Sequence, residues 1–289
     1  QGKSWTLLSD CLRRHAERAA SGPAAQAALY AALGQVYAED IPEGDQARAL
    51  LAAPQAIEAY ATVLRLAPED QPAMEALTKL YLLTEAYADA VRLLDKRGNI
   101  SEDRALRATL RHQAAEISLT QLNDPRGAEE RLLRALEADA HHLPSLTRLA
   151  ALYREQGDIL RAAKLLQEAA QKSASRLEKT RCLSEAADAY ASLGETKRAI
   201  ELYQQALDAD PELAEAGEAL VDLLWQEKRY AEAVPVLEML ARKTGDRDEQ
   251  LGWLNKLGTA LRESGDRSRA LRAFARATEL SEGDLTAQR

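Results

Sequence analysis

Aromatic side chains are scarce in this chain. Phe, Tyr and Trp together make up 4% of it, with a single Phe among 289 residues. Runs of β-branched residues are few and no segment alternates cleanly between apolar and polar, so no strand is expected. Apolar residues nevertheless reach 46%, and much of that share is Ala and Leu, which lose little on entering a helix. No apolar stretch approaches the ~20 residues that span a bilayer, and no basic-then-apolar leader opens the sequence. The first residue is Gln1 and not Met, so the chain is expected to be processed or cut from something longer; a missing leader then says little about compartment, of which the cytoplasm is favoured. Clustered Lys and Arg are missing too. A formal charge of −8 argues against a grip on nucleic acid.

The residues of catalysis and metal binding are equally thin. Cys11 and Cys182 lie far apart and are expected as small buried apolar groups, not as a disulfide or a metal site. The histidines are His15, His112, His141 and His142. The adjacent pair His141-His142 sits in a short polar junction, and neighbours in sequence do not face the same way on regular structure. No Cys, Asp or Glu recurs beside them at ligand spacing, so zinc is not expected. Cys182 has no histidine near it in sequence to activate it as a nucleophile. Ser21-Gly22-Pro23 reads as a helix break and not as a phosphate loop. No catalytic residue, cofactor or metal is expected, and neither a nucleic acid nor a membrane partner.

What the sequence does contain is a repeat. Ala56, Ala90, Ala128, Ala162, Ala199, Ala233 and Ala270 follow one another at steps of 34, 38, 34, 37, 34 and 37 residues. Four residues after each stands Tyr60, Leu94, Leu132, Leu166, Tyr203, Leu237 or Phe274, and seven after stands Val63, Arg97, Ala135, Ala169, Ala206, Leu240 or Ala277. Offsets of four and seven share one helical face. Nine residues before the alanine come Tyr81, Leu119, Tyr153, Tyr190, Leu224 and Leu261, and four earlier still Leu77, Ala115, Leu149, Ala186, Leu220 and Leu257. That is a second helix with its own stripe. Turn formers such as Gly157-Asp158, Gly194-Glu195, Gly265-Asp266 and Asn123-Asp124-Pro125 separate the two. A small residue lets two helix axes approach, and the larger one a turn later fills the space beside it. One hairpin cannot bury both its faces, so the next copy must cover it.

The 34-residue step, the Leu33-Gly34-x-x-Tyr37 run, the spaced alanines and the closing Pro68 and Pro211 resemble tetratricopeptide repeats. The resemblance spans residues 24–282 as seven copies, at about 24–70, 71–103, 104–142, 143–175, 176–212, 213–247 and 248–282. The third copy departs from the pattern, with Glu116 and Ala140 where a small residue and Pro are usual. A leading helix within 1–23 (Trp5, Leu8, Leu12, Ala16) reads as the second half of a truncated repeat, and 283–289 as a polar tail. The resemblance implies an all-α fold, a right-handed superhelical solenoid of antiparallel helix pairs that holds partners in its concave groove. Alternating step lengths point to duplication of a two-repeat unit with a lengthened first helix in every second copy. Drift by loop insertions is the alternative. Residues 41–53 are expected to enlarge the first turn by about ten residues, an insertion that surface loops absorb cheaply.

In the resembled family the second, fifth, ninth and twelfth positions of each first helix point into the groove. The fifth positions here are Ala31, Glu75, Gln113, Thr147, Ser184, Glu218 and Asn255, and the ninth are Gln35, Lys79, Ile117, Ala151, Asp188, Asp222 and Thr259. The twelfth include Leu82, Arg154, Trp225 and Arg262. The candidate protein-binding residues are therefore Lys79, Arg154, Asp188, Glu218, Asp222, Trp225, Asn255 and Arg262. The Lys and Asn pattern with which some relatives clamp a terminal carboxylate is missing, because four repeats lie between Lys79 and Asn255. Asp188, Glu218 and Asp222 with Trp225 form an acidic stretch beside a hot-spot residue type, suited to a basic protein or peptide ligand.

The function expected is a non-catalytic protein–protein interaction scaffold, part of a larger protein. The alternatives are a regulatory or substrate-recruiting arm of an enzyme whose catalytic domain lies elsewhere, and self-association through uncapped solenoid ends. The packing pattern carries its own test. Ala199→Leu is expected to overpack the helix contact by roughly 1–3 kcal/mol, and Tyr203→Ala to leave a cavity costing about 2–5 kcal/mol. Chemical denaturation of the two variants measures both, and an unchanged midpoint in either would remove Ala199 and Tyr203 from the core.

Overall fold

The computed structural model describes residues 2–18, 22–39 and 46–287, and within them the regular structure is helical throughout. The described helices are α1 (Gly2–Arg18), α2 (Pro23–Glu39), α3 (Gln46–Leu66), α4 (Gln71–Leu83), α5 (Tyr87–Ile100), α6 (Arg104–Thr120), α7 (Pro125–Ala138) and α8 (Leu143–Glu155). They continue with α9 (Ile159–Lys172), α10 (Arg176–Ser192), α11 (Thr196–Ala209), α12 (Ala214–Gln226), α13 (Tyr230–Lys243), α14 (Arg247–Glu263) and α15 (Arg267–Ala287). From α3 onward the connections are three or four residues long, short enough that successive helices must run antiparallel. The chain forms two compact units, residues 1–145 and 146–289. Inside each, the helix pairs that pack extensively are consecutive in sequence. Neither unit is a bundle closed on a common centre; each is a stack of hairpins.

The recurring alanines occupy the contacts that hold the hairpins together. Ala56, Ala90, Ala128, Ala199 and Ala233 are fully buried, and Ala162 and Ala270 keep 1% and 3% of their surface. The large residue four positions later is buried in every copy but the last, where Phe274 is half-buried. Volume is traded across each hairpin. A Cβ on Gly34 of α2 would stand 2.9 Å from the Tyr60 ring of α3, and one on Gly258 of α14 would stand 2.6 Å from the Phe274 ring of α15. Where the second helix offers Leu94, Leu166 or Leu237, the matching first-helix residue is Thr78, Ala150 or Val221. The Tyr60 and Phe274 rings thus take the space that a side chain on the facing helix would need, whereas Tyr203 stands opposite Ala187.

First helices alternate in length: α2, α6, α10 and α14 have 17 residues, α4 and α12 have 13, and so has α8. The extra residues of every second copy are thus one added helical turn, which favours duplication of a two-repeat unit over drift in loops. Aspartates start many of the helices. Asp70, Asp103, Asp124, Asp158, Asp246 and Asp266 each accept a hydrogen bond from a first-turn amide, at 2.8–3.1 Å. Such caps contribute about 1 kcal/mol each. From α4 onward, the turn inside each hairpin passes once through the left-handed region: at Gly157, Gly194 and Gly265, at Asn123, and at Glu85 and Lys228 where no glycine marks the turn.

The structure departs from the expectations at three places. Residues 46–53 do not form a loop but the opening turns of α3, which reaches 21 residues. The run Ala47–Ala53 is rich in Ala and Leu, so its own propensity continues the helix; residues 41–45 lie outside the described residues. α15 continues to Ala287 and takes in most of the stretch expected as a tail. Cys11 is exposed, whereas Cys182 is buried as expected, because Cys11 falls on the outer face of α1 while Ala16 faces α2. The Trp5 side chain lies outside the described residues. Among the described residues no helix is long and apolar enough to cross a membrane.

The close approach of α14 and α15 yields a direct test. Gly258→Val is expected to lower stability by roughly 1–3 kcal/mol through collision with the Phe274 ring. Combining it with Phe274→Leu should return part of that loss, since the ring is what the new side chain meets. Denaturation curves of the single and double variants check this, and equal losses in both would refute the contact.

Candidate functional site

Consecutive hairpins leave a groove wherever two first helices stand over the second helix between them. In the first unit α4 and α6 form the walls and α5 the floor of a groove of about 620 Å³. Its apolar lining is Leu82, Leu94, Leu106, Leu110 and Ile117, of which Leu82 and Leu106 are exposed. Lys79 pairs with Glu75 at 2.9 Å, and that contact holds the Glu75 carboxyl below the usual carboxylate range. The same Glu75 reaches Arg97 on the floor at 3.5 Å. His112 and Glu116 of α6 stand 4.0 Å apart on the opposite wall. In the second unit α10 and α12 flank a smaller groove of about 370 Å³ with Tyr203 of α11 at its base.

The second groove is acidic. Glu185, Asp188 and Glu215 line it against a single cation, Arg181, and Arg181 is already held by Glu178 at 2.9 Å and Glu185 at 3.7 Å. That pairing, led by the Glu178 hydrogen bond, raises the guanidinium further above its ordinary pKa. The Tyr203 hydroxyl donates to Asp188. Burial, reinforced by this hydrogen bond to a carboxylate, pushes the Tyr203 phenol well above its usual value. It therefore remains a donor and fixes Asp188 over the floor. Leu177 at the rim is 76% exposed.

The predicted groove residues are dispersed along these helices. Lys79 lies in the α4–α6 groove and Asp188 in the α10–α12 groove. Glu218 and Asp222 are exposed on α12, and Asp222 meets Lys256 of the next first helix at 3.4 Å. Trp225 is half-buried and not fully exposed, with its ring edge-on to Tyr230 at 5.0 Å and an interplanar angle of 80°. Asn255 is exposed on α14, Arg154 is exposed at the end of α8, and Arg262 pairs with the adjacent Glu263 at 2.8 Å. The wall that faces Asp188 is Leu213, Glu215 and Ala216, one turn before Glu218. Sequence reasoning missed Glu185 and Leu177, which lie off the family's groove positions, Glu215, which occupies a second position that the candidate set left out, and the groove role of Arg97. One signal was available for Arg97: it is the only charged residue in the column seven positions after the alanines.

Behind the α6 wall, the His112 ring meets that of His142 at 5.4 Å between centroids, inclined by 61°. His142 Nδ1 and Ser145 Oγ are 2.8 Å apart. Burial lowers the His142 pKa, with Asp139 acting in the opposite direction. Among the described residues no group of three His, Cys, Asp or Glu side chains is placed to hold a metal ion.

Two sequence profiles of the tetratricopeptide repeat match the chain, one over residues 142–212 and the other over 190–257. With the buried alanines and the stacked hairpins, they identify the class: residues 142–257 match the tetratricopeptide-repeat family. The first match covers α8 to α11, one short-first and one long-first hairpin. No curated protein matches the chain significantly. Several solved structures resemble it. YrrB, described as a tetratricopeptide-repeat protein with an unusual peptide-binding site, is 17% identical, with 67% of this chain and 91% of YrrB covered at a TM-score of 0.44. PilF of Pseudomonas aeruginosa is 19% identical over 82% of this chain and 99% of its own, at 0.41. The C-terminal part of a repeat-containing protein from Cytophaga hutchinsonii is 13% identical over 79% and 90%, at 0.48.

The histidine contact makes stability depend on pH. A His142 pKa below that of a free imidazole means that the unfolded chain takes up the proton first. Stability is therefore full above that value and is lost as pH falls through it toward the folded pKa. Thermal midpoints between about pH 7.5 and 5.5 should decline in the parent chain and decline less in His142→Gln. Identical slopes would show that His142 titrates alike in both states.

Proposed function

We propose that the protein is a non-catalytic scaffold that holds a segment of a partner protein along its first-helix faces, and that the second unit takes a basic segment. The observation that carries this reading is the surplus of carboxylates on the α10 and α12 faces. Glu185, Asp188 and Glu215 line the groove, and Glu218 and Asp222 continue along α12. The cations beside them are few and engaged: Arg181 with Glu178, Lys256 with Asp222. A Lys- or Arg-bearing segment would be steered to this face and oriented by it. Trp225 supports the reading in a second way. Its contact with Tyr230 orders the indole beforehand, so little side-chain entropy is lost when a partner packs on it. The helix pairs supply rigid walls, and a peptide or a helix can lie between them.

Short random peptides displayed as a library and selected on the protein provide the test. Selected peptides are expected to be basic. Trp225→Ala should weaken them about tenfold or more, as loss of a hot-spot aromatic does. Asp222→Lys should weaken them too, by a factor that shrinks as salt is raised. Affinities that move in neither variant would retire this face as the binding site.

A further inference from the structure

Arg97 stands where the repeat otherwise places a small or aliphatic residue. Its counterparts Val63, Ala135, Ala169, Ala206, Leu240 and Ala277 are buried and uncharged. Arg97 is buried as well, with 9% of its surface exposed. It lies on the floor of the α4–α6 groove, whose walls carry Leu82, Leu106, Leu110 and Ile117 together with the charged Glu75, Lys79 and Glu116. Its bond to Glu75 is long, 3.5 Å from Nη2 to Oε2. Glu75 is half exposed and holds Lys79 more closely, at 2.9 Å. The Nε of Arg97 is buried with no hydrogen-bond partner. A buried guanidinium with an unused donor is costly unless an acceptor completes it.

We propose that Arg97 is a recognition residue, and that the α4–α6 groove binds a segment of a partner protein in which one Asp or Glu side chain is flanked by aliphatic residues. The inference rests on the scaffold reading above and adds a partner chemistry opposite to that of the acidic groove in the second unit. The fork of a guanidinium matches a carboxylate through two parallel N–H donors, and Arg97 can offer its Nε together with an Nη. Leu82, Leu106, Leu110 and Ile117 provide the apolar surface for neighbours on either side of the acid. A single buried positive charge balances one carboxylate; a phosphate dianion would leave charge uncompensated beside Glu75 and Glu116. When the ligand carboxylate takes Arg97, Glu75 keeps Lys79, so no charge is left alone.

The test uses the whole chain and peptides selected on it from a displayed library of short random sequences. A class of peptides carrying one Asp or Glu between aliphatic residues is expected. Changing that Glu to Gln in the peptide should weaken binding to the unaltered protein about tenfold, the cost of a lost charge-assisted hydrogen bond. The Nε–Hε resonance of Arg97 should shift with the Glu peptide and stay in place with the Gln peptide. In Arg97→Gln and Arg97→Lys, the preference for Glu over Gln should disappear or shrink, while helicity and melting temperature hold or rise. A preference that persists in Arg97→Gln overturns the proposal, and so does an unmoved Arg97 resonance. Arg97→Gln that loses its melting transition while the peptide exchange on unaltered protein has no effect would make the residue structural and overturn it as well. Loss of the acidic class alone, with Trp225-dependent binding retained, defeats this inference and spares the scaffold reading. Failure to select any peptide defeats both.

Discussion

Each hairpin is held by an alanine that sits between two helix axes with almost none of its surface left to water. A methyl group at that point lets the backbones approach, and the residue one turn later fills the flank of the contact with Leu, Tyr or Phe. At two copies the ring takes space from the facing helix. Gly34 and Gly258 therefore appear where Tyr60 and Phe274 intrude. Nearly everything else in either unit follows from repeating this contact. The core is a series of small clusters, such as Val91, Leu94, Leu110 and Ala114 in the first unit, and Ala241, Leu254 and Ala277 in the second.

The grooves are a consequence of the same constraint. Packing occupies the inner stripes of the first and second helices, and consecutive hairpins leave the outer stripe of the first helices uncovered. Residues there carry little of the folding energy, so their chemistry can differ between grooves on an unchanged frame. The α10–α12 groove is acidic over a tyrosine whose hydroxyl is fixed on Asp188. The α4–α6 groove is lined by leucines over a buried arginine. Ion pairs such as Asp95–Arg131 between second helices and Asp222–Lys256 between first helices join neighbouring hairpins on their outer surfaces. An exposed pair such as Asp222–Lys256 contributes up to about 1 kcal/mol, small beside the buried alanines and leucines.

Much of the fold was legible in the sequence because the alanine spacing is rigid. A contact that must recur at the same helical phase leaves a period that local drift cannot hide, and the alternating steps of 34 and about 37 residues resolve into first helices of 13 and 17. Other features left no local trace. Glu85 and Lys228 take the left-handed turn position without the glycine that would have marked it. Residues 46–53 read as an inserted loop by length, but their alanines and leucines continue a helix. Cys11 has the composition of a core residue and the position of a surface one, since which face of α1 is covered depends on α2. The candidate site was less legible still. Family groove positions located Lys79 and Asp188 in real grooves, yet Glu185 and Leu177 reach the same space from neighbouring helical positions.

The sequence by itself determined the helices, their pairing and the small residues at their crossings, because these depend on spacing along one chain and on side-chain volume. Tertiary structure alone decided which charges meet. Asp188 accepts from the Tyr203 hydroxyl, Lys256 reaches back to Asp222, and Arg97 fills a position held elsewhere by small or aliphatic residues and lines a groove. Those partners come from different helices, and whether two of them meet depends on the separation and rotation of whole helices, which no periodicity encodes.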